Sequence, residues 1–302
     1  MQDSDWLAQQ FEANRGHLRA VAYRMLGSAG EADDAVQEAW LRLARTDAKS
    51  IGNLAAWLTT VVARVCLDLL RSRSARREES IDAQNGRPIS SSPEPNPESE
   101  AQLADSVGLA LLVVLDRLSP QERIAFVLHD VFAMPFEQVA PILGRSTVAA
   151  RQLASRARRR VQGGEKIQDA RLAQQRGIVA KFLAALRSGD FEALVTLLDP
   201  EVVVRADQAA VLAGAPPQIE GARNAARQAI ALSRGAKTAR LVLIDGVPGL
   251  IVAPAGKLFR AITFGFANNA IAQINVLADV RRLRELEIAL SDREAGPAAQ
   301  QL

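Results

Sequence analysis

Chemistry in this chain rests with arginines and a few acids, because the residues that most often do covalent or metal work are scarce. The 302 residues hold a single cysteine, Cys66, and two histidines, His17 and His129, both in the N-terminal half. An internal disulfide and a multi-cysteine metal site are thereby excluded, and histidine base chemistry has few carriers. No cofactor is expected. Cys66 lies in an apolar helical pattern between Val62 and Leu69 and reads as a packing residue.

Arginines gather in two places, Arg64 to Arg77 and Arg145 to Arg160, each at the end of a helical pattern. Net charge is only +3, so it is the clustering and not the total that suggests two separate contacts with phosphate. The second cluster belongs to Met134-Pro135-Phe136-Glu137-Gln138-Val139-Ala140-Pro141-Ile142-Leu143-Gly144-Arg145-Ser146-Thr147, followed by Val148 to Arg160. A short helix, a glycine turn, a Ser146 N-cap and a second helix make a helix-turn-helix. At about 100° per residue, Ala149, Leu153, Ala157 and Val161 share one face, with Thr147, Arg151, Ser155 and Arg158 roughly opposite. The second face suits a major groove, with Arg151 placed for guanine and Arg156, Arg158 and Arg159 for phosphates. A plain helical hairpin with a solvated basic end is the competing account.

Two helices upstream must position the first cluster. Gly30 to Leu43 is amphipathic, with Ala32, Val36, Ala39 and Leu43 on the apolar side and Asp34, Gln37, Glu38 and Leu41 on the other. That outer side suits a basic partner helix, and it equally describes a solvated surface. Leu54 to Arg71 has a core stripe of Leu54, Leu58, Val61, Val65 and Leu69, and a polar stripe of Thr60, Arg64, Asp68 and Arg71 leading into Arg73. Such a helix can follow a DNA backbone or be an ordinary surface helix.

Domain organisation follows composition. Residues 1–80 form a helical domain, and 81–100, rich in Ser, Pro, Asn and Glu, form a flexible linker. Residues 101–164 form a second helical domain, its Ser119-Pro120-Gln121-Glu122 carrying an N-cap, a first-turn proline and a capping-box glutamate. Residues 165–292 form an α+β domain, and 293–302 a tail. In the α+β domain a helix from Ala170 to Arg187 precedes strands at Val202 to Val204, Ala239 to Ile244, Leu250 to Val252, Leu258 to Phe266 and Ile271 to Leu277. Asp245-Gly246 and Asn268-Asn269 are hairpin turns, and Leu283 to Leu290 is expected to be a terminal helix. With no apolar run near ~20 residues and no signal-peptide pattern, a cytoplasmic location without membrane contact is expected.

Over residues 8 to 162 the chain resembles the sigma-70 family, and specifically its extracytoplasmic-function class. Asp33-Asp34-Ala35-Val36-Gln37-Glu38-Ala39-Trp40-Leu41 is similar to the helix that grips the clamp of core RNA polymerase. The resemblance implies docking on the β′ clamp through Asp34, Gln37, Glu38 and Leu41, and contact of the later module with the β flap. Asn53 to Arg77 resembles the region that melts and reads the minus-ten promoter element. There Asn53 would meet an extruded base and Thr60, Arg64, Asp68, Arg71 and Arg73 would line the surface. Leu118 to Arg160 resembles the module for the minus-thirty-five element, implying Thr147, Arg151, Gln152, Ser155, Arg156, Arg158 and Arg159 as DNA contacts.

Arg145-Ser146-Thr147 and the helix after it resemble the SigJ-like subgroup, which adds a SnoaL-like, NTF2-related cone domain. Residues 170 to 290 fit that addition, Phe182 to Leu194 resembling its opening helices. The expectation is a promoter-specific initiation factor whose own C-terminal domain contacts the sigma domains and modulates them. Departures from the subgroup include Gln208-Ala209-Ala210 after Arg205-Ala206-Asp207, where a glycine-rich sequence is usual. Two other readings remain. A conventional helix-turn-helix regulator would leave the Asp34 to Leu41 helix without a purpose. An enzymatic cone would rest on Asp207 as a lone acid in a pocket, in a domain without histidine.

Overall fold

The computed structural model describes residues 2–46, 51–82, 108–163, 170–232 and 238–290. Expected linker residues 83–100 and tail residues 293–302 lie outside the described residues. The chain divides into two compact units, one of residues 1–107, 115–158 and 297–302, the other of residues 108–114 and 159–296.

The first unit is helical. Helices α1 (Gln2–Leu26), α2 (Ala29–Leu43) and α3 (Leu54–Asp82) pack on one another. Ser28 caps α2 by accepting from the Glu31 N–H, and the stripe Ala32, Ala35, Val36, Ala39 and Leu43 is buried. Leu18, Tyr23 and Met25 from α1 and Leu58, Val62 and Cys66 from α3 complete this core. Phe11 and Trp40 add a tilted ring pair at 5.0 Å. Each fully buried large apolar side chain contributes about 1.5–3 kcal/mol to this bundle.

Further along, α4 (Leu109–Leu115) belongs to the second unit, while α5 (Pro120–Phe126), α6 (Phe136–Leu143) and most of α7 (Thr147–Gln162) belong to the first. The expected capping box opens α5, with Ser119 and Glu122 bonded reciprocally. The helix then loosens into a π turn over Val127–Val131. Gly144 stands left-handed at φ 64° between α6 and α7, a conformation that favours glycine. Ser146 Oγ accepts from the Ala149 N–H at 3.2 Å, capping α7.

Helices α5 and α6 pack against α3. At that contact Arg123 is 3% exposed. Its guanidinium donates to Asp116 at 3.4 Å and to the Arg24 carbonyl at 3.5 Å, and its Nε has no hydrogen-bond partner. Burial pushes its pKa down to about 10 against the pull of Asp116.

In the second unit, α8 (Ala170–Ser188) and α9 (Phe191–Leu197) precede β1 (Leu198–Ala206), α10 (Gln208–Leu212), β2 (Gln218–Glu220) and α11 (Ala222–Ala231). Strands β3 (Ala239–Ile244), β4 (Val247–Val252), β5 (Arg260–Ala267) and β6 (Ala270–Leu277), then α12 (Val280–Glu285) and β7 (Ile288–Leu290), complete it. The sheet order is β2-β1-β6-β5-β4-β3-β7, with β1 and β6 parallel and the other pairs antiparallel. Val179, Phe182, Leu183 and Leu186 of α8 pack with Leu250, Phe264 and Ile274 of the sheet, and Phe182 meets Phe264 edge-on at 5.5 Å. This is the expected α+β arrangement, helices packed against one mixed sheet.

Both expected hairpin turns are present. Asp245 (φ 51°) and Gly246 (φ 78°), and Asn268 (φ 48°) and Asn269 (φ 63°), have the paired left-handed backbone that a two-residue turn needs. The expected helix from Leu283 to Leu290 is corrected: it stops at Glu285, and Ile288–Leu290 pairs with β3. Free backbone groups on β3 recruit Ile-Ala-Leu into the sheet, and Asp245 clamps the join by accepting from the Glu287 N–H at 2.8 Å. Within the same unit, a Cβ on Gly256 (φ 73°) would lie 2.9 Å from Leu112 of α4, and one on Gly163 would lie 2.9 Å from Ala289 of β7.

A buried, incompletely bonded guanidinium gives little net stability, whereas the volume it fills matters. Arg123→Met is therefore expected to unfold within about 1 kcal/mol of the parent in urea, and Arg123→Ala to lose about 2 kcal/mol through the space it leaves.

Candidate nucleic-acid and polymerase interface

Because α2 buries its alanine-rich stripe, its opposite face must be outside. Asp34, Gln37 and Leu41 are exposed there and Glu38 is half-buried. Leu41 is 43% exposed, an apolar side chain at the centre of an otherwise polar face. Glu38 accepts from Arg42 Nε at 2.9 Å one turn along. Asp33, just beside, is held by Arg19 at 2.6 Å. The face is pre-ordered, acidic and carries one apolar anchor.

The α3 surface is similarly divided. Asn53 caps the helix by accepting from the Ala56 N–H at 3.0 Å, and remains exposed. Thr60 is half-buried and bonds back to the Ala56 carbonyl, while Arg64, Asp68 and Arg71 are exposed. Arg71 and Asp68 form a loose pair at 3.9 Å. Arg64, Asp68 and Arg71 border a cleft of about 420 Å³ whose other wall is Gln121 and the turn from Pro141 to Arg145. Arg73 has a different setting: it pairs with Glu31 and donates to the Leu26 carbonyl at 3.1 Å. Its charge is spent within the bundle.

On α7 the buried residues are Ala150, Leu153, Ala154, Ala157 and Val161. Arg151, Gln152, Ser155, Arg156 and Arg159 are exposed, and Thr147 and Arg158 half-buried. Arg151 extends over the Phe136 ring at 5.6 Å with Glu137 3.5 Å away, which orients it without burying it. Arg156 donates to Glu122 at 3.3 Å, so the capping-box glutamate holds two elements at once. Arg158 donates through Nε to Asp130 at 2.9 Å. Burial raises the Asp130 pKa while Arg158 opposes the rise. The two arginines therefore fasten α7 to the helices beneath it. Spacing alone puts them on the groove side, since the sequence does not reveal that Glu122 and Asp130 lie underneath.

Asp207, the acid on which an enzymatic cone would rest, caps α10: its carboxylate accepts from the Ala210 N–H and from the Ala278 and Asp279 N–H groups at 2.9 and 3.0 Å. Burial would raise its pKa, but those N–H groups outweigh burial and hold it below the usual carboxylate range. Among the described residues no group of His, Cys, Asp and Glu is arranged to hold a metal, and no helix is long and apolar enough to cross a membrane.

The helical unit thus carries an acidic helix face with one exposed leucine, a polar stripe on the following helix and a capped helix-turn-helix. Residues 10–76 match the family description Sigma-70 region 2, and residues 108–161 match Sigma-70, region 4. The chain is 44% identical over 201 residues to the ECF RNA polymerase sigma factor SigJ of Mycobacterium tuberculosis, covering 66% of this chain and 64% of that protein. It thus spans just under two thirds of that relative's length. It is 38% identical over 210 residues to the probable ECF RNA polymerase sigma factor SigI of the same species, covering 68% of this chain and 72% of that protein. The crystal structure of Mycobacterium tuberculosis SigJ matches with TM-score 0.43 and 31% identity, over 91% of this chain and 98% of that one. The chain belongs to the extracytoplasmic-function RNA polymerase sigma factors.

Removing the Asp207 carboxylate should cost about 1–2 kcal/mol at neutral pH, the worth of a cap. A depressed folded pKa contributes stability above the ordinary carboxylate range that is lost as pH falls through the folded value. Thermal melts of parent and Asp207→Ala should therefore converge on acidification.

Proposed function

We propose that this chain directs promoter-specific initiation by core RNA polymerase and that its C-terminal domain modulates that activity without catalysing a reaction. The observation that carries the proposal is the outward basic and polar face of α7, on a helix-turn-helix with an acidic, leucine-centred docking face on α2 upstream. Asp34, Gln37, Glu38 and Leu41 dock on the β′ clamp, and the second helical module approaches the β flap. Asn53, Thr60, Arg64, Asp68 and Arg71 meet the minus-ten element, Arg73 supporting them from the bundle. Thr147, Arg151, Gln152, Ser155 and Arg159 meet the minus-thirty-five element. Arg156 and Arg158 reach phosphate only with the part of the guanidinium that Glu122 and Asp130 leave free. The domain boundaries proposed are residues 1–80, 101–164 and 165–292, joined by 81–100 and ending in 293–302.

Arg145 and the turn from Pro141 line one cleft with Arg64, Asp68 and Arg71, so the arrangement of these helices governs access to the stripe. Modulation by the C-terminal domain is supported by α4. Its residues 109–115 fall within the region-four match, yet residues 108–114 belong to the unit formed with residues 159–296, where Leu112 adjoins Gly256. A regulatory and not a catalytic role for that domain is supported by Asp207, whose carboxylate is taken up by backbone N–H groups.

Gel filtration with core polymerase and runoff transcription test the proposal directly. Full-length chain should co-elute and initiate, Leu41→Asp should do neither, and truncation after Gly164 should change output. Absence of core binding by the parent refutes the proposal, and equal output from the truncated chain removes the modulatory part. On DNA, Arg151→Ala should lose about 1–3 kcal/mol at one base position if it reads guanine bidentately. Arg158→Ala should instead cost about 2–3 kcal/mol of folding stability by stranding Asp130, measured in urea.

A further inference from the structure

The recognition helix carries an apolar residue where a solvated helix has no use for one. Val148, in the first turn of α7, is 60% exposed. Polar neighbours surround it: Arg145, Ser146, Arg151 and Gln152 are all exposed. At about 100° per residue, Val148, Arg151, Gln152, Ser155 and Arg159 fall within an arc of about 100°. That arc is exposed along its whole length, whereas Thr147 and Arg158 are half-buried and Arg158 is drawn down to Asp130. Val148 therefore lies at the leading end of the face that enters the groove.

Helix-turn-helix proteins read base edges with the first residues of this helix. The thymine 5-methyl group is the one apolar substituent that the bases present in the major groove, beside the hydrogen-bonding groups that distinguish them. A β-branched side chain one turn before Arg151 offers two methyl groups and no competing donor, with a stiff χ1 that fixes where they point. We propose that Val148 is a specificity-determining residue that selects thymine, by methyl contact, at the minus-thirty-five position next to the base read by Arg151. The proposal rests on the reading of α7 as the minus-thirty-five helix. It adds a hydrophobic element to a face otherwise made of charge and hydrogen bonds.

The test uses holoenzyme made from the full chain and core polymerase, with a duplex library randomised across the minus-thirty-five element. Parent holoenzyme should select thymine at one position, and Val148→Ala should lose that preference while keeping the preference that Arg151 imposes. Replacing the selected thymine by uracil, which removes only the methyl, should weaken parent binding about three- to fivefold, the worth of one buried methyl. The same change should leave Val148→Ala unaffected, and Val148→Thr, which keeps one methyl, should fall between. Equal melting temperatures of parent and Val148→Ala, expected for an exposed site, establish that the comparison is between folded proteins. Thymine selection that survives in Val148→Ala, or a uracil effect of the same size in both proteins, overturns the inference. Selection without thymine overturns it too, and in each of these cases an intact Arg151-dependent preference leaves the assignment of α7 standing. Indifference of the parent to every base in the element would refute that assignment, and this inference with it.

Discussion

Taking a guanidinium out of water costs several kcal/mol unless its donors are matched, and Arg123 is buried with two long hydrogen bonds and one donor unmet. The packing of α5 and α6 against α3 is arranged around this side chain. It follows that apolar contact holds the helical unit together while its central polar group pulls the other way. The cleft over Arg64, Asp68 and Arg71 has the same character, with arginines on both walls and a single aspartate between them.

A second constraint is the division of labour on α7. Its buried alanines allow close approach to the helices below, and Arg156 and Arg158 seal the edges by pairing with Glu122 and Asp130. Glu122 is also the residue that starts α5, so the beginning of one helix and the seating of another share one carboxylate. Arg151 is oriented by a ring and an exposed acid and stays exposed itself.

Much of this was legible in the sequence, for identifiable reasons. Glycine at Gly144, serine caps at Ser119 and Ser146, and paired turn residues at Asp245-Gly246 and Asn268-Asn269 act locally, so local reading finds them. The alternating burial of α2 was readable from its period. What local reading misses is decided by distant partners. Ile288–Leu290 becomes a strand because β3 has free backbone groups 40 or so residues away. Three arginines that look alike in the sequence meet different partners: Arg151 a surface acid, Glu137, Arg156 the buried capping-box Glu122, and Arg158 the buried Asp130. The short β2 strand carries no periodic signal in its three residues. A valine in a helix reads as core from sequence, and only the 60% exposure of Val148 in the fold distinguishes it.

The separation of holding arginines from reading residues on α7 has a bearing on how such a protein can change its targets. Residues that seat the helix, Ala150, Ala154, Ala157, Arg156 and Arg158, form one set, while Val148, Arg151, Gln152 and Ser155 form another with few ties to the interior. On the proposed reading of α7, drift within the second set alters the promoter sequence selected at little expense in folding. Duplicated copies of such a gene can therefore diverge to separate regulons by substitutions at a handful of surface positions, and the same positions are those an engineer would randomise to obtain mutually silent promoter and factor pairs.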